Sequence, residues 1–188
     1  MLFNSRSLKN KIPDLHFILS NNYLDVVIIT ESWLNSTVSD NCLVGGMPFM
    51  VFRADRLGRE GGGICVFTRT SLMAIPIVLP VNYSHLELCI IDIHLHSNLK
   101  IRLFAVYRPP STARDNNALS YTTDLCNCIE QFYPVNGTAI LCGDFNYPDI
   151  DWQRDNCIRC NLNTCTGIFL SLIYKFGFRT VCFFTYSS

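Results

Sequence analysis

The sequence carries no excess of charge of either sign: fifteen Lys and Arg stand against fifteen Asp and Glu. No protein-wide basic field is therefore available, and a nucleic-acid partner would have to be held by a local patch. No uninterrupted apolar run approaches the length needed to cross a bilayer, so no membrane partner is expected. The start, "MLFNSRSLKNK", has basic residues but no apolar stretch behind them, which is not the pattern of a secretory signal. Internal repeats and low-complexity linkers are missing as well. These absences point to a soluble intracellular domain, with the nucleus as one place it could act. The 188 residues, 49% of them hydrophobic, suffice for one well-cored domain and are too few for two large ones.

Cysteine, by contrast, is plentiful. Ten cysteines are enough for a secreted disulfide scaffold, but many sit singly in apolar runs such as "GICVF", "ELCIIDI" and "ILCGDF". There they act as small buried hydrophobes, and without a secretion signal reduced thiols are expected. Sequons at Asn35, Asn82 and Asn136 carry no meaning in an intracellular chain.

Periodicity separates helices from strands. "KNKIPDLHFILS" places Ile12, Leu15, Ile18 and Leu19 on one helical face, and "LDVVIIT" reads as a buried strand running into Glu31. "MPFMVFRADRLGREGGGICVFTR" reads as strand, glycine-rich turn and strand. "HLELCIIDIHLH" reads as a half-buried strand, and "LKIRLFAVYRPP" as a strand stopped by Pro109 and Pro110. A second helix covers "NALSYTTDLCNCIEQFY", with Leu119, Thr122, Leu125 and Ile129 on one stripe. "GTAILCGDFN" is a further strand, and "TGIFLSLIYKFGF" a third helix ending near Gly177. Strands joined mostly by hairpins and mixed with a few helices indicate an α/β protein on a two-layered sheet rather than a βαβ repeat.

Polar groups gather where strands stop. One strand-like run ends in Asn4, another in Glu31, a third in Tyr107 with Arg108, and a fourth in Asp144 with Asn146. Alternation along a strand predicts that Asp144 and Asn146 point the same way. Four such ends could converge on one rim. Magnesium, a hard cation, takes oxygen ligands and is often held by one or two carboxylates with water completing the shell.

In this order, "FNSRSLKNK", "DVVIITESWL", "REGGGICVFTR", "FAVYRPPS" and "GDFNYPDIDW" resemble the endonuclease/exonuclease/phosphatase superfamily. The nearest likeness is to the endonuclease domains of non-LTR retrotransposons, relatives of the apurinic endonucleases and of DNase I. The resemblance spans nearly the whole chain, and "TESWL", "YRPP" and "GDFN" together are far more specific than any one alone. It implies a four-layered α/β sandwich of two packed mixed sheets flanked by helices, and phosphodiester hydrolysis on DNA aided by magnesium or manganese. By matched motif it implies that Glu31 is the main metal ligand with Asn4 nearby, and that Tyr107 hydrogen-bonds the phosphate. Asp144 would orient or deprotonate the attacking water, and Asn146 would hold a phosphate oxygen. It also implies a later Asp-His pair, yet histidine occurs only at positions 16, 85, 94 and 96. The expectation is therefore one domain over residues 1–188, truncated at both ends and incomplete at its C-terminus, with weak or no nuclease activity and poor folding alone. A catalytically dead retroelement relic or binding scaffold, and a phosphatase of the same fold, stand as alternatives.

Each assignment has a plainer rival. Asn4 could fray, Glu31 could cap a helical "SWLN", and Tyr107 could be an ordinary sheet aromatic. Asp144 and Asn146 could form an Asx-turn after Gly143. Asp149 and Asp151 read as turn and surface residues, while Asp55, Arg56 and Arg59 read equally as DNA contacts or a solvated hairpin. His94 and His96 read as edge-strand histidines rather than metal ligands. "CIRCNLNTC" begins like a zinc knuckle, but Cys165 and Leu170 stand where a histidine and a cysteine are needed.

Overall fold

The computed structural model describes residues 1–21, 23–95, 99–110, 117–152, 156–157, 161 and 163–178. In these residues two four-stranded sheets lie face to face. The first has the order β1 (Leu2–Asn4), β2 (Val26–Thr30), β4 (Ile64–Arg69) and β3 (Phe49–Ala54). Its β1–β2 pair is parallel and the rest antiparallel. The second runs β5 (Met73–Ile77), β6 (Leu88–His94), β7 (Lys100–Tyr107) and β8 (Thr138–Asp144), with only β7–β8 parallel. Helices α1 (Ile12–Leu19) and α2 (Asp40–Val44) cover the first sheet, and α3 (Ala118–Gln131) and α4 (Cys165–Phe176) the second. A two-residue ladder joins β9 (Ile150–Asp151) to β10 (Asn156–Cys157). No helix among the described residues is long and apolar enough to cross a membrane.

Alternation explains the layers. In β4, Ile64 and Val66 face the second sheet while Cys65 and Phe67 face α1 and α2. In β6, Cys89, Ile91 and Ile93 enter the space between the sheets while Leu88 and Ile90 meet the helices. In β7, Leu103, Ala105 and Tyr107 lie between the sheets and Phe104 and Val106 under α3 and α4. This corrects the half-buried reading of "HLELCIIDIHLH". Residues 88–91 are buried on both faces because a sheet covers one side and helices the other. β6 is also an interior strand, so His94, exposed at its end, is not an edge-strand histidine; His96 lies outside the described residues.

Local chemistry sets the helix ends. The Ser39 and Thr164 side chains accept the Cys42 and Gly167 N–H groups at the starts of α2 and α4, and Gly45 and Gly177 close them in the left-handed region. Thr122, Leu125 and Ile129 are buried along α3, but Leu119 is 46% exposed: it lies in the first turn, past the end of the covered stripe. The short elements β5 and α2 have too little periodicity to be read from sequence.

Gly143 is required by close approach. It sits opposite Val106 in the parallel ladder with φ +147°, and a Cβ there would lie 1.8 Å from the Val106 carbonyl oxygen. Gly143→Ala is therefore expected to lower stability by about 2–4 kcal/mol, read as a fall in the urea midpoint at unchanged slope. A second expectation concerns the thiols, none of which is disulfide-bonded among the described residues. Burial pushes Cys89, Cys126, Cys128 and Cys142 up to about 12 and raises Cys65 as well, whereas Cys42 is exposed. Iodoacetamide applied to the native chain should modify Cys42 and leave these five unmodified until denaturant is added, as peptide mass spectrometry would show.

Candidate active site

The two parallel pairs bring the polar strand ends together. Asn4 is level with Thr30 in the β1–β2 ladder, so Asn4 and Glu31 leave the first sheet at one end. Tyr107 is level with Asp144 in the β7–β8 ladder, so these two leave the second sheet side by side. The four side chains meet at the rim between the sheets. Asn4 Nδ2 donates to Glu31 Oε1 at 2.9 Å and to Asp144 Oδ2 at 3.3 Å, and the Tyr107 hydroxyl donates to Glu31 Oε1 at 3.3 Å. Fraying of Asn4 is ruled out by its strand pairing, by the chain's amino group on the Val26 carbonyl at 2.8 Å, and by Ser5 Oγ on the Glu31 carbonyl at 2.9 Å.

Asn146 reaches the rim by a different route from the one alternation predicts. β8 ends at Asp144, and Asn146 lies beyond it at φ +48°. The Asp144 carboxylate accepts the Asn146 N–H, so the Asx-turn is present as well as the site. Asn146 Nδ2 donates to the Arg108 carbonyl at 2.7 Å, while the Arg108 N–H and Nη1 donate to the Asp144 and Asn146 carbonyls at 2.8 Å each. Glu31, at φ +50°, ends β2 with no helix after it, so it caps nothing. Left-handed backbone at Arg6, Ser7, Glu31, Trp33 and Asn146 confines the non-glycine strain of the described residues to this rim and the turns leaving it.

Burial governs the electrostatics. The Asp144 carboxyl is held above the usual carboxylate range, first by desolvation and then by the nearby Glu31 charge, against the lowering effect of Asn4 and the Asn146 N–H. The Tyr107 phenol is 3% exposed and is pushed well above its ordinary value by desolvation and then by Glu31, with Arg56 opposing.

Two groups adjoin this cluster: Glu87, which the sequence left unassigned, and Arg56, which is paired and mostly buried rather than part of a solvated hairpin. Glu87, 5% exposed, binds Arg56 Nε at 2.6 Å through one carboxylate oxygen and the Gly63 N–H through the other. The signal available in the sequence was a lone carboxylate inside the apolar run "LELCII". The Arg56 guanidinium lies 5.6 Å above the centre of the Tyr107 ring. A cleft of about 500 Å³, lined in part by Arg56, Arg59, His85, Glu87, Arg108 and Tyr121, opens beside it. Asp55 instead pairs with Arg53, Asp149 is exposed as expected, and Asp151 belongs to β9.

No cluster of three or more His, Cys, Asp and Glu side chains occurs among the described residues. Ile158, Arg159, Cys160 and Leu162 of the "CIRCNLNTC" motif lie outside them. The donor set that is present, two carboxylates converging on one point with an amide beside them, suits a hard divalent cation that keeps most of its water. The Asn4 amide nitrogen, a polarised N–H donor, stands where those two carboxylate oxygens converge.

Comparison with known proteins agrees with this architecture. Residues 1–186 match the Endonuclease/Exonuclease/phosphatase family, and no curated protein matches the chain. The fold resembles an AP endonuclease from Archaeoglobus fulgidus, with TM-score 0.65 and 12% identity over 100% of this chain and 78% of that one. It resembles the AP endonuclease LMAP from Leishmania major, with TM-score 0.68 and 15% identity over 93% of this chain and 65% of that one. It also resembles the 3' phosphatase NExo from Neisseria, solved with a product DNA hairpin, with TM-score 0.60 and 16% identity over 80% and 58%. At these identities the likeness is one of fold, and the DNase I-like sandwich expected from the sequence is the fold found. The chain spans less than two thirds of the length of the last two.

The raised Asp144 carboxyl makes a testable statement. Its folded value lies above the ordinary 3.8, so its contribution to stability is full below 3.8 and is lost as pH rises through the folded value. Asp144→Asn is therefore expected to raise Tm at pH 7, by about 2–4 °C. The gain should shrink toward zero as the pH falls to 3.8, as parallel calorimetric scans would show.

Proposed function

Because the chain belongs to the endonuclease/exonuclease/phosphatase family, we propose that it is a DNA phosphodiesterase dependent on magnesium or manganese, of the endonuclease type carried by non-LTR retrotransposons. The observation that carries this reading is the single hydrogen-bonded cluster of Asn4, Glu31, Tyr107 and Asp144. The retrotransposon type rests on "TESWL", "YRPP" and "GDFN" standing together in this order. DNA as substrate is supported by the fold neighbour solved with a product DNA hairpin.

Glu31 would hold the metal ion with Asn4 beside it, through the Asn4 amide oxygen that here accepts the Arg6 N–H at 3.0 Å, and the ion when bound would supply Lewis-acid polarisation of a phosphate oxygen. Asp144 orients a water and takes its proton as the water oxygen bonds to phosphorus and the bond to the departing sugar oxygen breaks. A carboxyl raised by burial is better matched to that transfer than a solvated one. Tyr107, held firmly in its protonated form, donates its hydroxyl hydrogen to the phosphate. Asn146 contacts a phosphate oxygen by exchanging its bond to the Arg108 carbonyl. No histidine follows Asp144, so the histidine that the resemblance implies at the phosphate is not supplied by these residues. One such contact is typically worth on the order of a hundred- to a thousandfold in rate, so residues 1–188 acting without it would nick correspondingly slowly.

The test joins binding to turnover. Manganese titration followed by electron paramagnetic resonance should show a bound ion that Glu31→Ala removes. Supercoiled plasmid should be nicked slowly in magnesium, at least about a hundredfold more slowly after Glu31→Ala, and not at all with chelator. Equal manganese binding and nicking by wild type and Glu31→Ala, or phosphate release from inositol phosphates in place of nicking, would overturn the reading.

A further inference from the structure

Glu87 grips Tyr107 twice. Its carbonyl accepts the Tyr107 N–H at 2.9 Å, and its N–H donates to the Tyr121 hydroxyl, which in turn donates to the Tyr107 carbonyl at 3.4 Å. Its carboxylate meanwhile holds Arg56, whose guanidinium covers the Tyr107 ring. The other carboxylate oxygen holds the Gly63 N–H, and the Gly63 and Gly62 carbonyls accept the Ser32 and Trp33 N–H groups at 3.2 and 2.9 Å. Glu87 thus touches the supports of both partners in the Tyr107–Glu31 hydrogen bond.

The seat of Arg56 is built for it. Gly62 has φ +66°, and a Cβ there would come within 2.2 Å of the guanidinium carbon. The loop "GGG" therefore packs its backbone flat against the guanidinium, which no side chain at position 62 would permit. Arg56 Nη2 is buried without a hydrogen-bond partner among the described residues, and the group is retained by Glu87, by this packing and by the ring. As a clamp between sheets the arrangement is wasteful: an apolar pair of the same volume would usually serve as well or better than a buried ion pair. An apolar pair would not fix a cation over the face of a phenol. A cation there draws on the ring's electron density and resists rotation of the ring away from it.

We propose that Arg56, seated on Gly62 and tethered by Glu87, is a positioning residue that fixes the ring plane of Tyr107 and the direction of its hydroxyl, and that Glu87 acts on the site through it. What the hydroxyl does for the reaction rests on the function proposed above; where it points does not.

The test separates the two. In the full chain carrying ring-labelled tyrosine, the Tyr107 resonance is identified by its loss in Tyr107→Phe. Arg56→Met, Arg56→Lys and the isosteric Glu87→Gln should each move that resonance while those of Tyr23 and Tyr133 stay in place. Arg56→Lys keeps the charge but cannot make the planar Nε bond, so it should restore thermal stability without restoring the resonance. In plasmid nicking, Arg56→Met should lower kcat by about tenfold to a hundredfold with KM within about twofold, the pattern of lost orientation. Combined with Tyr107→Phe it should add little further loss. A Tyr107 resonance unmoved in the folded variants overturns the proposal whether or not the chain nicks DNA. Losses in kcat that simply multiply would also overturn it, by showing that Arg56 acts independently of Tyr107.

Discussion

A strand buried on both faces has no place along its length for an unpaired polar side chain, and most of this chain's architecture follows from that constraint. The two sheets share one apolar layer between them and each carries a second under its helices. Polar groups are therefore driven to the strand ends. The one carboxylate within β6, Asp92, is only partly buried and is held by Arg102 at 2.6 and 2.7 Å, with Lys100 nearby. The side chains of Asn4, Glu31, Tyr107 and Asp144 collect at the rim.

At that rim, charge and backbone strain are concentrated together. Two carboxylates aimed at one point repel each other, and they are held there by an amide donor, a phenol and backbone in the left-handed region. Such an arrangement lowers stability locally and is maintained by well-packed surroundings, here the fully buried ends of β2, β4 and β7. The burial that raises Asp144 also raises Tyr107, so one cause shifts both groups side by side toward their protonated forms.

The supports lie one layer further out. Glu87 directly precedes β6 of the second sheet, and Gly62 and Gly63 lie in the loop entering β4 of the first, so the pair that orients Tyr107 also ties the two sheets together beside the site. The cleft next to it shares Arg56 and Glu87 with that support and adds Arg59 and Arg108, so its basic groups form a local patch rather than a basic face of the whole molecule. That agrees with the absence of net charge.

How much was legible in the sequence differs by level. The strands β2, β4, β6, β7 and β8 and the helices α1, α3 and α4 follow from periodicity and breakers, which are local properties of the chain, while strand ends and the motif resemblance single out Asn4, Glu31, Tyr107, Asp144 and Asn146 only as candidates. That β6 is buried on both faces, that Leu119 is exposed, and that Asn146 leaves the strand through an Asx-turn are decided by what packs against each segment. No local pattern records this. Glu87 is the clearest case. As a single carboxylate in an apolar run it is indistinguishable from a strand-end residue, because its meaning depends on Arg56, thirty-one positions earlier, and on a glycine loop that only the meeting of two sheets brings within reach. Composition and motif order determine which groups are available; their pairing is a property of the tertiary fold, because contacts between sheets join residues whose separation in sequence carries no signal.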